Sequence, residues 1–173
     1  MSNIILSINE IDSKSELIER LRKSDVETIM IGENEEQSQD FFEITVTDIS
    51  NTELLKIGVI SEGQGLKPQY SINDFGKIII GLNKEICLIS IDEFNKVLIK
   101  KLESLFYEFK FLKNINLIVV VCETEIYCLN TNLETIWNVS LDLIVDYEIT
   151  DEFVKAVTDD KTYFYKVLNG SLI

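Results

Sequence analysis

The chain contains no histidine in 173 residues. That removes the side chain that most often serves as general base, proton shuttle or zinc ligand near neutral pH, so catalytic sets built on imidazole are excluded. Serine-based substitutes are missing too, with neither a Gly-x-Ser-x-Gly elbow nor a Ser-x-x-Lys on a helix. Proline occurs once and glycine seven times, against 46% hydrophobic and 27% charged residues, a composition that folds and lacks the polar bias of disorder. The glycines make no phosphate cradle: Glu62-Gly-Gln-Gly-Leu-Lys67 has neither the Walker spacing nor a strand-to-helix context, and reads as a loop hinge. The longest apolar run, residues 117–122, falls far short of the ~20 residues that span a bilayer, so no membrane segment is expected.

Cysteine is also scarce. Cys87, Cys122 and Cys128 are an odd number in strand-like contexts, so at least one thiol stays unpaired in a monomer. Zinc sites use tighter Cys-x-x-Cys spacing and four ligands, so these residues read as buried structural thiols, with no metal and no cofactor expected. Free thiols fit a reducing compartment, and residues 1–9 show no basic region or apolar run of signal-peptide length, so a cytoplasmic location is expected.

Positive charge is absent from two long stretches. Between Lys23 and Lys56 lie Asp25, Glu27, Glu33, Glu35, Glu36, Asp40, Glu43, Asp48 and Glu53 with no Lys or Arg among them. Between Lys113 and Lys155 lie Glu123, Glu125, Glu134, Asp142, Asp146, Glu148, Asp151 and Glu152, again with none. Residues 57–113 are nearly balanced, so the net charge of −14 is segregated along the chain. Fields of this kind repel nucleic acid and anionic lipid and steer cationic partners inward.

What is present is mostly strand. Residues 4–8 read as a short strand, followed by Ser13-Lys-Ser-Glu16, the signature of a capping box, and an amphipathic helix to about Lys23 with Leu17, Ile18 and Leu21 in one stripe. Residues 26–31 and 54–60 read as strands, and Phe42, Ile44 and Val46 alternate with Glu43, Thr45 and Thr47 as in a half-buried strand. Residues 94–109 carry apolar residues at helical spacing (Phe94, Val97, Leu98, Leu102, Leu105, Phe106, Phe109), whereas 107–111 alternates like a strand. Both readings stand, and the repeat described next favours strands.

Residues 78–86 align with 118–126 at an offset of 40, which extends to Leu88/Cys128, Ile89/Leu129 and Val97/Trp137. A third, partial copy runs through residues 157–163 at an offset of about 37. Each unit reads as strand, tight turn, strand, polar turn and third strand, and in length and rhythm resembles the blade of a quinoprotein-like β-propeller, with Trp137 as the aromatic after the turn. Two and a half units do not close a ring of about four or more blades. The expected fold is therefore α+β and β-rich: one antiparallel meander of hairpins with the N-terminal helix packed on it. One domain over residues 1–173 is expected, with a subdivision near 62–66 into a 1–62 part and a 66–173 hairpin sheet.

Two acidic groups are candidate partner-binding sites. One comprises Glu33, Glu35, Glu36, Asp40, Phe41 and Glu43. The other is a strand over 141–149 with Leu141, Leu143, Val145, Tyr147 and Ile149 on one face and Asp142, Ile144, Asp146 and Glu148 on the other, ending at Asp151 and Glu152. This face reads as an ordinary solvated sheet surface or, because like charges along one face cost stability, as a docking surface for a basic partner. Calcium is not expected there, because no EF-hand loop is present. In general character, small, acidic and without catalytic motifs, the chain resembles bacterial immunity proteins. These neutralise toxins delivered between cells, as in contact-dependent inhibition. The resemblance implies a non-enzymatic cytoplasmic inhibitor that occludes the active site of a basic toxin domain, with no nucleic acid and no membrane as partner. An acidic adaptor or secretion-chaperone-like protein is the alternative reading, an enzyme working through carboxylates alone is a third, and the oligomeric state is left open.

Overall fold

A computed structural model describes residues 4–32, 39–62, 67–73, 76–91, 93 and 96–173. The chain divides into two compact units, residues 1–83 with 89–97 and residues 84–88 with 98–173. The first unit begins with β1 (Ile4–Ile11), α1 (Lys14–Arg22), β2 (Glu27–Ile31), β3 (Asp40–Asp48) and β4 (Glu53–Ser61), which form a sheet of order β1-β3-β4-β2. β3 is antiparallel to both neighbours, but β2 runs parallel to β4, from Glu27 opposite Leu55 to Ile31 opposite Val59. This sheet is mixed, not antiparallel as expected.

Helix α1 starts where the capping signature places it. Ser13 Oγ accepts the Glu16 amide at 3.2 Å, while the Glu16 carboxylate turns along the helix to Arg20 at 2.8 Å, so only half of the reciprocal box forms. Leu17 and Leu21 settle against Ile11 and Ile60, with Met30 and Phe41 beside them. The close approach needs Gly58 on β4, where a Cβ would lie 2.6 Å from Leu21 Cδ1 and 2.9 Å from Met30 Sδ.

The remaining strands form three further sheets. β5 (Gln69–Ile72), β6 (Lys77–Leu82), β7 (Glu85–Ser90) and β8 (Val97–Lys101) lie in chain order. So do β9 (Phe106–Leu112), β10 (Leu117–Cys122), β11 (Glu125–Asn130) and β12 (Thr135–Ser140), and then β13 (Asp146–Ile149), β14 (Phe153–Val157) and β15 (Thr162–Lys166). The ambiguous segment is strand at β8 and β9, although residues 92, 94 and 95 lie outside the described residues. Residues 63–66 of the anticipated junction also lie outside them.

Four separate sheets among the described residues overturn the single meander with a helix packed on it; α1 covers one of them. Alternation and turn residues identify a hairpin, but they do not say what lies along a strand's second edge. The connectors decide that. The Leu102 amide donates to the Lys84 carbonyl and the Leu141 amide to the Thr124 carbonyl, both at 2.8 Å. Each chain segment leaving a fourth strand is thus tied back to a hairpin turn, and the next strand opens a new sheet.

The offset of 40 survives in three dimensions, since β6 and β7 start at 77 and 85 and β10 and β11 at 117 and 125. The offset of about 37 does not. Leu117, Val119 and Val121 share one core with Val154 and Ala156 of the following sheet, together with Ile126, Cys128, Ile144, Tyr165 and Val167. An offset of 37 would equate Val154 with Leu117 and Ala156 with Val119, yet these residues face each other across two sheets. Equivalent residues of stacked repeats lie on equivalent faces, so an offset of 37, which matches residues of opposite faces, is out of register by one residue, and a one-residue slip reverses every side chain.

Candidate functional site

The structure separates the residues nominated by charge. Glu33, Glu35 and Glu36 lie outside the described residues. Asp40 and Phe41 are half-buried at the start of β3, and Phe41 packs beside the Leu17 and Leu21 cluster. Glu43, read from alternation as part of an outward strand face, is only 5% exposed. The helix covers that face, which alternation along β3 alone does not disclose. Glu43 Oε1 is 3.9 Å from Arg20 Nη1, and Oε2 has no hydrogen-bond partner among the described residues.

The second group does not lie on one strand. Residues 141–145 form a connector, not the first half of a strand over 141–149, and the Ile144 amide donates to the Glu123 carbonyl at 2.8 Å. Ile144 is buried at 2% exposure while Leu143 and Val145 point outward at 46% and 54%, the reverse of the face pattern inferred from sequence. Asp142 is exposed in this connector. From β13 onward the alternation holds: Asp146 and Glu148 are exposed, and Tyr147 and Ile149 pack against the core. Tyr147 stacks on Tyr107 with centroids 6.4 Å apart, and its hydroxyl is pushed up to about 12, first by burial and then by the Glu108 carboxylate beside it.

Asp151 and Glu152 sit in the β13–β14 turn. Thr150 shapes this turn, its Oγ1 accepting the Phe153 amide at 3.0 Å and the Glu152 amide at 3.3 Å. Asn114 Nδ2 donates to Asp151 Oδ2 at 3.2 Å, and the Val167 amide donates to the Glu152 carbonyl at 2.9 Å. These bonds draw three loops together around an open groove of about 400 Å³ lined by Ile115, Asp151, Glu152, Lys166, Leu168 and Asn169. Two carboxylates beside an apolar wall offer acceptors to a guanidinium or ammonium carried on a hydrocarbon stem, with the cationic Lys166 on the same lining. Sequence reading found the carboxylates and missed Ile115, Leu168 and Asn169, which come from other loops and carry no local signal.

The thiols do not converge. Cys128 lies opposite Val119, on the face packed against the following sheet, whereas Cys122 follows Val121 and points to the other face of β10. All three are buried, and burial pushes Cys87 and Cys122 up to about 12 and Cys128 to about 11. Among the described residues no group of three or more Cys, Asp or Glu is placed to hold a metal ion. No helix among them is long and apolar enough to cross a membrane, which does not bear on strand-built membrane proteins.

No family model matches the chain, and no curated protein matches it. Solved structures do. Apo AztD from Citrobacter koseri is 10% identical with a TM-score of 0.53, the match covering 85% of this chain and 45% of that one. Dihydro-heme d1 dehydrogenase NirN in complex with DHE is 11% identical with a TM-score of 0.55, covering 78% of this chain and 34% of that one. The chain therefore spans less than half the length of either. Both neighbours are β-propeller-like, in keeping with hairpins organised as blades, and at this identity the likeness concerns the fold alone.

Proposed function

We propose that this chain is a non-enzymatic binding protein that captures a basic polypeptide through its C-terminal acidic surface. We further propose that it acts in the cytoplasm as an immunity protein, occluding the cationic cleft of a bacterial toxin domain. The observation that carries the reading is the groove in which Asp151 and Glu152 flank the apolar side chains of Ile115 and Leu168, with Asp142, Asp146 and Glu148 exposed elsewhere in the same unit. A toxin that acts on nucleic acid needs a cationic cleft, and a rigid acidic surface associates with such a cleft quickly because charge steers the encounter.

The test is protection and kinetics together. Cells expressing a basic toxin domain encoded beside this gene should survive when the chain is co-expressed, and D151K/E152K should abolish survival. Association of the purified pair should slow with rising salt, and slow at least about tenfold in the double reversal. Survival without this chain, or a rate indifferent to both salt and reversal, would refute the proposal.

A further inference from the structure

The groove beside Asp151 and Glu152 carries charge of both signs, and the two signs do not neutralise each other. Lys166, the last residue of β15, lines it with the two carboxylates, the side chains of Ile115 and Leu168, and Asn169. Among the described residues the Lys166 ammonium makes no ion pair or hydrogen bond, and neither does the Glu152 carboxylate. The base is therefore held out of ion-pair reach of the acids, and both stay open to a ligand. Backbone bonds fix this lining. The Gly170 amide donates to the Lys166 carbonyl at 2.8 Å and the Lys166 amide to the Ser171 carbonyl at 2.9 Å, which shapes the loop that carries Leu168 and Asn169. Trp137, the sole tryptophan, braces that loop through its bond to the Val167 carbonyl, with its ring beside Gly170.

Each simple class of ligand is opposed by one part of this lining. A lone cation meets Lys166, a lone carboxylate meets Asp151 and Glu152, and an apolar group strips water from charges it cannot replace. A ligand that carries a cation, a hydrocarbon stem and an anion satisfies all three parts. The groove holds about 400 Å³, near the lower end of the ~300–1,000 Å³ of ligand sites, which is room for one long residue rather than a run of them. The three groups must then belong to one residue, and in a polypeptide only an arginine or lysine at the carboxy terminus supplies them. We propose that a carboxy-terminal arginine or lysine of the partner fills the groove, an inference that rests on reading the groove as the site for a basic polypeptide and narrows it to a chain end. The side-chain cation lies against Asp151 and Glu152, its methylenes run along Ile115 and Leu168, and its α-carboxylate accepts from the Lys166 ammonium. Capture of a chain end through its carboxylate is a recurring mode of peptide recognition. An internal basic residue lacks that carboxylate and leaves Lys166 facing a neutral amide.

Fluorescence anisotropy with the full chain and a labelled short peptide ending in Leu-Arg tests the inference, the peptide being made both as the free acid and as the carboxamide. The acid should bind at least about tenfold more tightly than the amide. K166M, which keeps the hydrocarbon stem and removes the charge, should weaken the acid to the level of the amide and leave the amide unchanged. D151N/E152Q should weaken both peptides, and binding of the acid should alter the emission of Trp137. Equal affinity for acid and amide, or a preference that persists in K166M, would overturn the chain-end assignment while leaving capture of a basic residue by Asp151 and Glu152 in place. So would failure of both peptides to bind, or free arginine binding as tightly as the peptide acid, which would assign the groove to a small molecule. Binding of both peptides that is indifferent to D151N/E152Q would overturn this proposal together with the reading it rests on.

Discussion

Arg20 of α1 and Glu43 of β3 face each other across the helix–sheet interface, Nη1 to Oε1 at 3.9 Å, with the carboxylate side chain only 6% exposed and the guanidinium 47% exposed. The helix thus covers a negative charge and supplies a positive group at the rim. Removing Arg20 leaves a buried carboxylate without its cation, which costs more than an ordinary surface change. R20A should lower unfolding stability by about 1–2 kcal/mol, after allowance for solvent around the guanidinium. E43Q in the same background should recover much of the loss. Urea denaturation of the double-mutant cycle checks this, and additive single effects would show that the pair is not coupled.

Alkaline pH should destabilise the protein. Each buried thiol ionises near 9.0 in an unfolded chain and only near 11 or 12 in the folded one. Folded values above unfolded values contribute stability that is complete below about pH 9 and lost as pH rises towards the folded values. Tyr147, raised from 10.0 to about 12, adds to the loss in the upper part of that window. The urea midpoint should hold through neutral pH and fall between about pH 9 and 11, and a thiol-reactive dye at pH 8 should label the cysteines only after unfolding.

Gly170 adopts φ +66, and a Cβ there would lie 2.7 Å from Trp137 Cδ2. G170A therefore combines left-handed strain with a collision against a ring held in place by its own hydrogen bond, Trp137 Nε1 to the Val167 carbonyl at 2.6 Å. A loss of about 1–3 kcal/mol is expected, with a change in tryptophan fluorescence of the native state. An unchanged melting temperature would show that the indole moves freely.

Ser104 ties the β8–β9 connector to the β10–β11 hairpin, its Oγ donating to Glu125 and accepting the Thr124 amide at 3.0 Å. Glu125 is 8% exposed, so S104A removes a donor from a buried carboxylate and should cost about 1–3 kcal/mol. S104T, which keeps the hydroxyl, should cost less. Equal losses in the two variants, measured by chemical denaturation, would assign the effect to packing.

Local chemistry alone determined a good part of this protein. The continuous apolar run at residues 117–122 and the repeat marked β10 and β11 around 126–129, the capping residue Ser13 started α1, and the offset of 40 survived into the β6–β7 and β10–β11 hairpins. Each of these depends on residues within a few positions of one another. Tertiary structure decided the rest. The division into four sheets depends on amides such as Leu102 and Leu141 reaching carbonyls 17 or 18 positions away. The covering of Glu43 depends on a helix that precedes it by some twenty residues, and the offset of 37 fails because two sheets share one core from opposite sides. The groove at Asp151 and Glu152 exists because Ile115 and Leu168 arrive from separate loops. Periodicity carries which side a residue points to; only packing decides what is waiting on that side.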